Sequence, residues 1–341
     1  MTRIDTLLTK NLGKEYTAAV ARIERSGRVV FERAYGTTRA DAAVRPVYVD
    51  TLFDLASLTK LFVATLALRL VAEAKLALDE PLTSVVPEWR SDRHRKITLR
   101  ALLAHTSGMN SGADYRAILD ENVEAFALNS PMLAAPGERV IYSDLGFIAL
   151  GAIAQRVTGV SLAALASQCF SPSLRFRPRA ELRLRIPATE DDGWRGRVQG
   201  VVHDEKAYLM GGIAGHAGLF GTAADVARLT ECYLGTFHRR ACATLPQALL
   251  REAVMEQADD PILRRGLGWA LKTSDENSCG RFMDRSSFGH TGFVGTSVWA
   301  DPVRDVQGVL LTNAVYFGRG DIRDFRAGFY EAMMDECSQS G

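Results

Sequence analysis

The run Ser57-Leu58-Thr59-Lys60 leads directly into Leu61-Phe62-Val63-Ala64-Thr65-Leu66-Ala67-Leu68-Arg69-Leu70-Val71-Ala72. Between residues 61 and 72 only Thr65 and Arg69 are polar, so the pattern predicts a helix that is apolar nearly all round. Such a helix belongs in a core. Serine and lysine three residues apart share one face of it, about a turn from each other. A serine hydroxyl is a poor nucleophile until a base takes its proton. A lysine takes it only when desolvation or a neighbouring cation draws its pKa well below about 10.4. At the head of a buried helix the pair reads either as a nucleophile with its base or as a helix cap beside a surface lysine.

The rest of the chain supplies enough apolar material for a sizeable core: 341 residues, 47% hydrophobic and 24% charged. That length suits two ordinary domains, or one large domain with an insertion. The net charge of +1 gives no reason to expect nucleic acid or an anionic membrane as partner. Arginine is dense over 175–185, but prolines interrupt it and it reads as a solvated loop. The opening Met1-Thr2-Arg3-Ile4-Asp5 carries no apolar run behind a basic patch, so no secretory signal is expected. The 61–72 run is too short to span a bilayer. Five scattered cysteines (Cys169, Cys232, Cys242, Cys279, Cys337) without a C-x-x-C are expected to be free thiols of a reducing compartment. The expected location is cytoplasmic.

Two β-favouring runs, 17–24 and 28–34, flank Ser26-Gly27 and predict a hairpin. Pro81 is expected to close the Ser57 helix. Thr98 is placed as N-cap of a helix over 99–104. Ser143 or Asp144 caps a helix to 157 that Gly159 stops, and another helix begins near Ser161. Beyond an irregular stretch over 171–200 comes the glycine-dense Gly211-Gly212-Ile213-Ala214-Gly215-His216-Ala217-Gly218. A helix over 223–234, strands over 267–271, 293–300 and 307–313, and a last helix over 323–335 follow. Strands thus lie at both ends and helices in the middle. The expectation is an α+β fold: one antiparallel sheet from both termini, flanked by helices, with an inserted mainly helical domain. Residues 1–75 and 205–341 form the sheet domain and 76–204 the helical insert.

Two further stretches carry chemistry. Tyr142-Ser143-Asp144 stands just before a capped helix, where a side chain faces either a cleft or its packing neighbours. His290-Thr291-Gly292 leads into a predicted strand, and its glycine lets another backbone approach closely. The order S-x-x-K, Y-S-(N/D), (K/H)-T-G resembles the penicillin-recognising serine hydrolases. The branch it resembles is the class C β-lactamase-like one, with its DD-peptidases, family VIII-type esterases and D-amino-acid amidases. Leu102-Leu103-Ala104-His105-Thr106-Ser107-Gly108, Pro136-Gly137, Thr296-Ser297-Val298-Trp299-Ala300-Asp301-Pro302, and Val202-His203-Asp204-Glu205 with the glycine loop also look like that family.

The resemblance implies a β-lactamase/transpeptidase-like fold and an acyl-serine mechanism. It implies that Ser57 is the nucleophile. Lys60 helps deprotonate it and lowers the pKa of its neighbours, and Tyr142 is general base or the acid for the leaving group. The oxyanion hole uses the N–H groups of Ser57 and Phe293. Asp144, His290, Thr291, Gly292 and His203 are the candidate substrate contacts.

Asp144 stands where many relatives carry asparagine. It either pairs with Lys60 and keeps it charged, or serves as the helix N-cap. His290 stands where many β-lactamases carry lysine, and neutral histidine attracts a carboxylate less well. Short acyl esters or small amides are therefore expected before β-lactams, and His290→Lys is expected to raise β-lactam acylation. His203-Asp204 is either a polar rim group or a local bond that pins the glycine loop, and His105 and His216 read as loop-fixing residues. The alternatives are a DD-peptidase or β-lactamase and, from another class, a non-catalytic acyl- or peptide-binding sensor. G-x-S-x-G, H-E-x-x-H, G-x-x-x-x-G-K-(S/T) and G-x-G-x-x-G are all absent. No metal or cofactor is expected, and the expected partner is a small-molecule acyl substrate.

Overall fold

Ser26 and Gly27 both take positive φ, 53° and 72°, as a two-residue hairpin turn demands. The two strands they join begin the main sheet. The computed structural model describes residues 2–41, 44–240, 242–243, 245–258, 260–261 and 264–339. Its helices are α1 (Arg3–Asn11), α2 (Thr59–Ala72), α3 (Leu99–Leu103), α4 (Val123–Asn129) and α5 (Asp144–Thr158), followed by α6 (Leu162–Cys169), α7 (Glu205–Leu209), α8 (Ala223–Leu234), α9 (Gln247–Ala253) and α10 (Arg323–Gln339). The strands are β1 (Ala18–Arg25), β2 (Arg28–Gly36), β3 (Phe53–Asp54), β4 (Arg175–Phe176), β5 (Asp191–Asp192) and β6 (Gly196–Arg197), then β7 (Leu219–Gly221), β8 (Ala270–Leu271), β9 (Phe288–Thr291), β10 (Ser297–Asp301) and β11 (Val306–Thr312).

The main sheet runs β2-β1-β11-β10-β9-β8, and every pairing in it is antiparallel. The two ends of the chain meet in its middle, where Ala19 faces Thr312 and Arg25 faces Val306. Side chains alternate across each strand. Ala19, Ala21, Ile23, Trp299 and Leu310 pack with Ile4 and Leu8 of α1 and with Phe329, Tyr330 and Met333 of α10. Ala18, Val20, Val298, Val309 and Leu311 point the other way, into the larger core with α2, α5 and α8. The fold is therefore the expected α+β arrangement, a sheet built from both termini and covered by helices on both faces.

Several local expectations need correction. Helix α2 ends at Ala72, not at Pro81. Ala74 turns left-handed with φ 53°, and the N–H groups of Lys75 and Leu76 cap the Leu70 carbonyl. Within 267–271 only Ala270 and Leu271 pair, and the strand expected from 293 starts at Ser297. Residues 292–296 form a turn closed by Gly292 N–H to the Thr296 carbonyl at 2.7 Å. The cysteines are not all free. Cys232 and Cys242 are disulfide-bonded, while Cys169, Cys279 and Cys337 are thiols. Among the described residues no single helix is long and apolar enough to cross a membrane.

Candidate active site

Helix α2 carries Lys60 into the interior at 0% exposure, where an ammonium survives only if its protons are matched. They are. Nζ lies 3.0 Å from Ser57 Oγ, 3.2 Å from the His216 carbonyl oxygen and 2.9 Å from Asp144 Oδ1. Burial works to loosen the Lys60 proton, but the Asp144 charge and Tyr142 outweigh it and push the pKa up to about 12. Lys60 is thus an ammonium at rest, and of its two expected roles the one its geometry serves is placing positive charge beside Ser57 and Tyr142.

Ser57 sits in a single 3-10 turn, Ala56–Leu58, at the head of α2. Ala56 takes φ 46°, a conformation that costs a non-glycine residue energy and must be held by its surroundings. Asp54 holds it. Its Oδ1 accepts the Ala56 N–H at 2.8 Å, and its Oδ2 accepts the His203 N–H at 2.7 Å. Gly292 closes on the same turn from the sheet side. A Cβ there would strike Thr296 Oγ1 and lie 2.8 Å from the Leu55 carbonyl. Only glycine lets the 292–296 turn lie this close to the Leu55–Ala56 backbone.

Ser143, not Asp144, is the N-cap of α5: its Oγ accepts the Gly146 N–H at 2.9 Å. Asp144 is thereby free to turn inward to Lys60, which decides between its two readings. His105 fixes the preceding residue. Its Nδ1 accepts the Ser143 N–H at 3.0 Å, its carbonyl accepts the Ile141 N–H at 2.8 Å, and its ring lies 4.6 Å from that of Tyr142. The Tyr142 ring is flanked by two cations, Lys60 Nζ at 4.8 Å and the Arg265 guanidinium at 5.2 Å.

His290 is buried at 3% exposure. Its Nδ1 donates to the Thr291 carbonyl at 2.8 Å, which leaves Nε2 as a bare acceptor without a protein partner. Burial, then Arg265 and Lys60, draw its pKa down to about 3. It is a neutral acceptor, not a cation.

Ser57, Tyr142, His290, Thr291, Gly292 and Phe293 line one cleft of about 470 Å³. Phe293 stands at its rim, 58% exposed. Lys60 and Asp144 lie beneath the floor. His203 lies behind the rim, stacked on the Phe293 ring at 5.6 Å with Nε2 3.1 Å from Glu190. A second cavity of about 490 Å³, walled by Arg22, Glu32, Arg175 and Arg228, holds none of these residues.

Two groups had no motif to reveal them. Arg265, 6% exposed on the cleft wall, has Nε and Nη1 without a protein partner. Lys206 bonds to Asp144 Oδ2 and to Asp204 Oδ2, each at 3.3 Å. Asp144, Asp204 and His216 come close enough together to hold a metal ion. The Lys60 and Lys206 ammoniums already sit on those carboxylates and balance their charge.

The chain is similar to known proteins over nearly its whole length. The Beta-lactamase family profile matches residues 5–332. An N-acetylmuramyl-L-alanine amidase of Bacillus subtilis is 29% identical over 91% of this chain and 80% of its own. The esterase EstB of Burkholderia gladioli is 31% identical over 93% of this chain and 91% of its own. A class C beta lactamase structure superposes with a TM-score of 0.79 at 19% identity, covering 98% of this chain and 97% of its own.

Proposed function

The chain belongs to the Beta-lactamase family and is a serine hydrolase of that kind; we propose that it cleaves a small ester or amide bearing a carboxylate, through an acyl-Ser57 intermediate. The observation that carries this reading is the Ser57–Lys60–Asp144 contact chain beneath Tyr142 in an open cleft. The resting Lys60 ammonium has no lone pair to offer, so Tyr142, on the cleft wall with two cations at its ring, takes the Ser57 proton as general base. Ser57 Oγ then bonds to the substrate carbonyl carbon. The carbonyl electron pair moves to oxygen, facing the N–H groups of Ser57 and Phe293. As the tetrahedral species collapses, the leaving group departs with the proton from Tyr142. Water repeats the sequence to release the acid.

Arg265 supports the carboxylate. A buried guanidinium with unmatched donors on a cleft wall is completed by an anionic ligand. It supplies the positive charge that His290 lacks. The relatives named as an esterase and an amidase support both bond types.

The experiment compares a neutral p-nitrophenyl ester, a carboxylate-bearing ester, a D-alanyl peptide and a cephalosporin, with intact mass read after mixing. Wild type should show a Ser57 adduct that Ser57→Ala lacks. Arg265→Met should raise KM at least about tenfold for the charged ester and under threefold for the neutral one. No adduct and no turnover on any substrate would overturn the enzyme reading, and equal KM changes would overturn the carboxylate.

A further inference from the structure

Three elements meet under Lys60: the first turns of α5 and α7 and the glycine loop. Asp144 uses one oxygen for Lys60, at 2.9 Å, and the other for Lys206, at 3.3 Å. Lys206 reaches on to Asp204 Oδ2 at 3.3 Å. Asp204 Oδ1 accepts the N–H of His216 Nε2 and that of Ala207, each at 2.8 Å, the second as N-cap of α7. The His216 carbonyl returns to Lys60 Nζ at 3.2 Å. The contacts close a ring of two ammoniums and two carboxylates with no net charge.

We propose that Lys206 is a positioning residue for acylation: by sharing the Asp144 charge with Lys60 it holds the Ser57–Lys60–Tyr142 group in its reactive charge state. This rests on the acyl-Ser57 reading above. Without Lys206 the buried ring carries one excess negative charge. Asp144 then acts on Lys60 alone, and the potential at the Ser57–Lys60–Tyr142 group becomes less positive.

The charged and titratable groups facing Tyr142 are Lys60 from α2, His105 after α3, Asp144 from α5, Arg265 before β8 and His290 from β9. Those facing Lys206 are Asp144 and Asp204, with His216 behind Asp204. Burial holds the His105 and His290 rings neutral. A limb that moves with residue 206 therefore does not come from them.

The test is the rate of Ser57 modification by a fluorophosphonate, followed from pH 5 to 10, for wild type, Lys206→Met, Lys206→Arg and Asp204→Asn. Thermal melts check that each variant is folded. Lys206→Met should move the acid limb up by about one pH unit and slow labelling about tenfold at pH 7, with the alkaline plateau kept. Lys206→Arg should restore the wild-type limb, and Asp204→Asn, which removes a negative charge, should move it down. An unmoved limb in Lys206→Met and Asp204→Asn overturns the inference. So does a uniform loss at every pH that arginine does not rescue. A wild type that labels normally while the limb stays put sinks this inference alone, whereas a wild type with no Ser57 adduct sinks the hydrolase reading beneath it.

Discussion

At the scale of single residues, His290 shows how burial overrides side-chain identity. In water it would titrate near neutrality. In the cleft it gives its Nδ1 proton to the Thr291 carbonyl and faces Arg265 and Lys60 with a bare nitrogen. NMR of the ring should show it neutral down to pH 5, and the pH-rate profile should carry no limb near 6.5 from it. The same surroundings reverse the expectation for His290→Lys. A third cation beside Arg265 and Lys60 has no carboxylate of its own to pair with. The substitution should cost about 3–5 kcal/mol in urea unfolding and bring no gain in cephalosporin acylation. Asp144 resolves at this scale too. Its neighbour Ser143 takes the cap, so the carboxylate is spent on the two lysines.

At the scale of elements, the glycine loop and α5 approach backbone to backbone. A Cβ on Gly215 would run into the Phe147 carbonyl and lie 3.0 Å from the Gly151 nitrogen. That closeness places the next residue's carbonyl on Lys60 and its imidazole on Asp204. Gly215→Ala should therefore cost about 2–4 kcal/mol in unfolding free energy and lower kcat by at least about tenfold. Thermal melts and steady-state kinetics read the two effects, and a wild-type melt would show that the loop gives way without disturbing α5. The 292–296 turn is a second such element. A run that reads as strand is bent back on itself, and the bend packs Val294 on Ala56 and lets Thr296 Oγ1 donate to the Leu55 carbonyl beside the nucleophile's turn.

At the scale of the whole molecule, one buried apolar cluster includes sheet residues such as Val20 and Leu311 and helix residues such as Leu103, Leu128 and Ile153. With no break in the core between them, calorimetry should show a single unfolding transition; two resolved transitions would show that the helical portion melts alone. Acid should weaken the fold. His290 has a folded pKa of about 3 against an ordinary 6.5, so its stabilisation is complete above pH 6.5 and is lost as pH falls toward 3. The buried His105 adds in the same direction. The melting temperature should fall steadily from pH 6.5 to 4, and less steeply in His290→Gln.

Most of the secondary structure and the order of the motifs were legible along the chain, because they rest on contacts within a few residues. The Ser26-Gly27 turn, the Thr98 cap, the helix starts at Ser143 or Asp144 and near Ser161, the Gly159 stop and the nearly all-apolar α2 are local facts. So is the one-turn spacing of Ser57 and Lys60. What could not be read there depends on residues far apart in sequence. The Cys232–Cys242 bond, the two cations at the Tyr142 ring, the bare donors of Arg265 and the ring through Lys206 arise only when sheet, helices and glycine loop close together. Sequence alone determined which side chains could do acyl chemistry. Tertiary structure decided their charge, because burial and neighbouring ions, not spacing, set which group holds a proton.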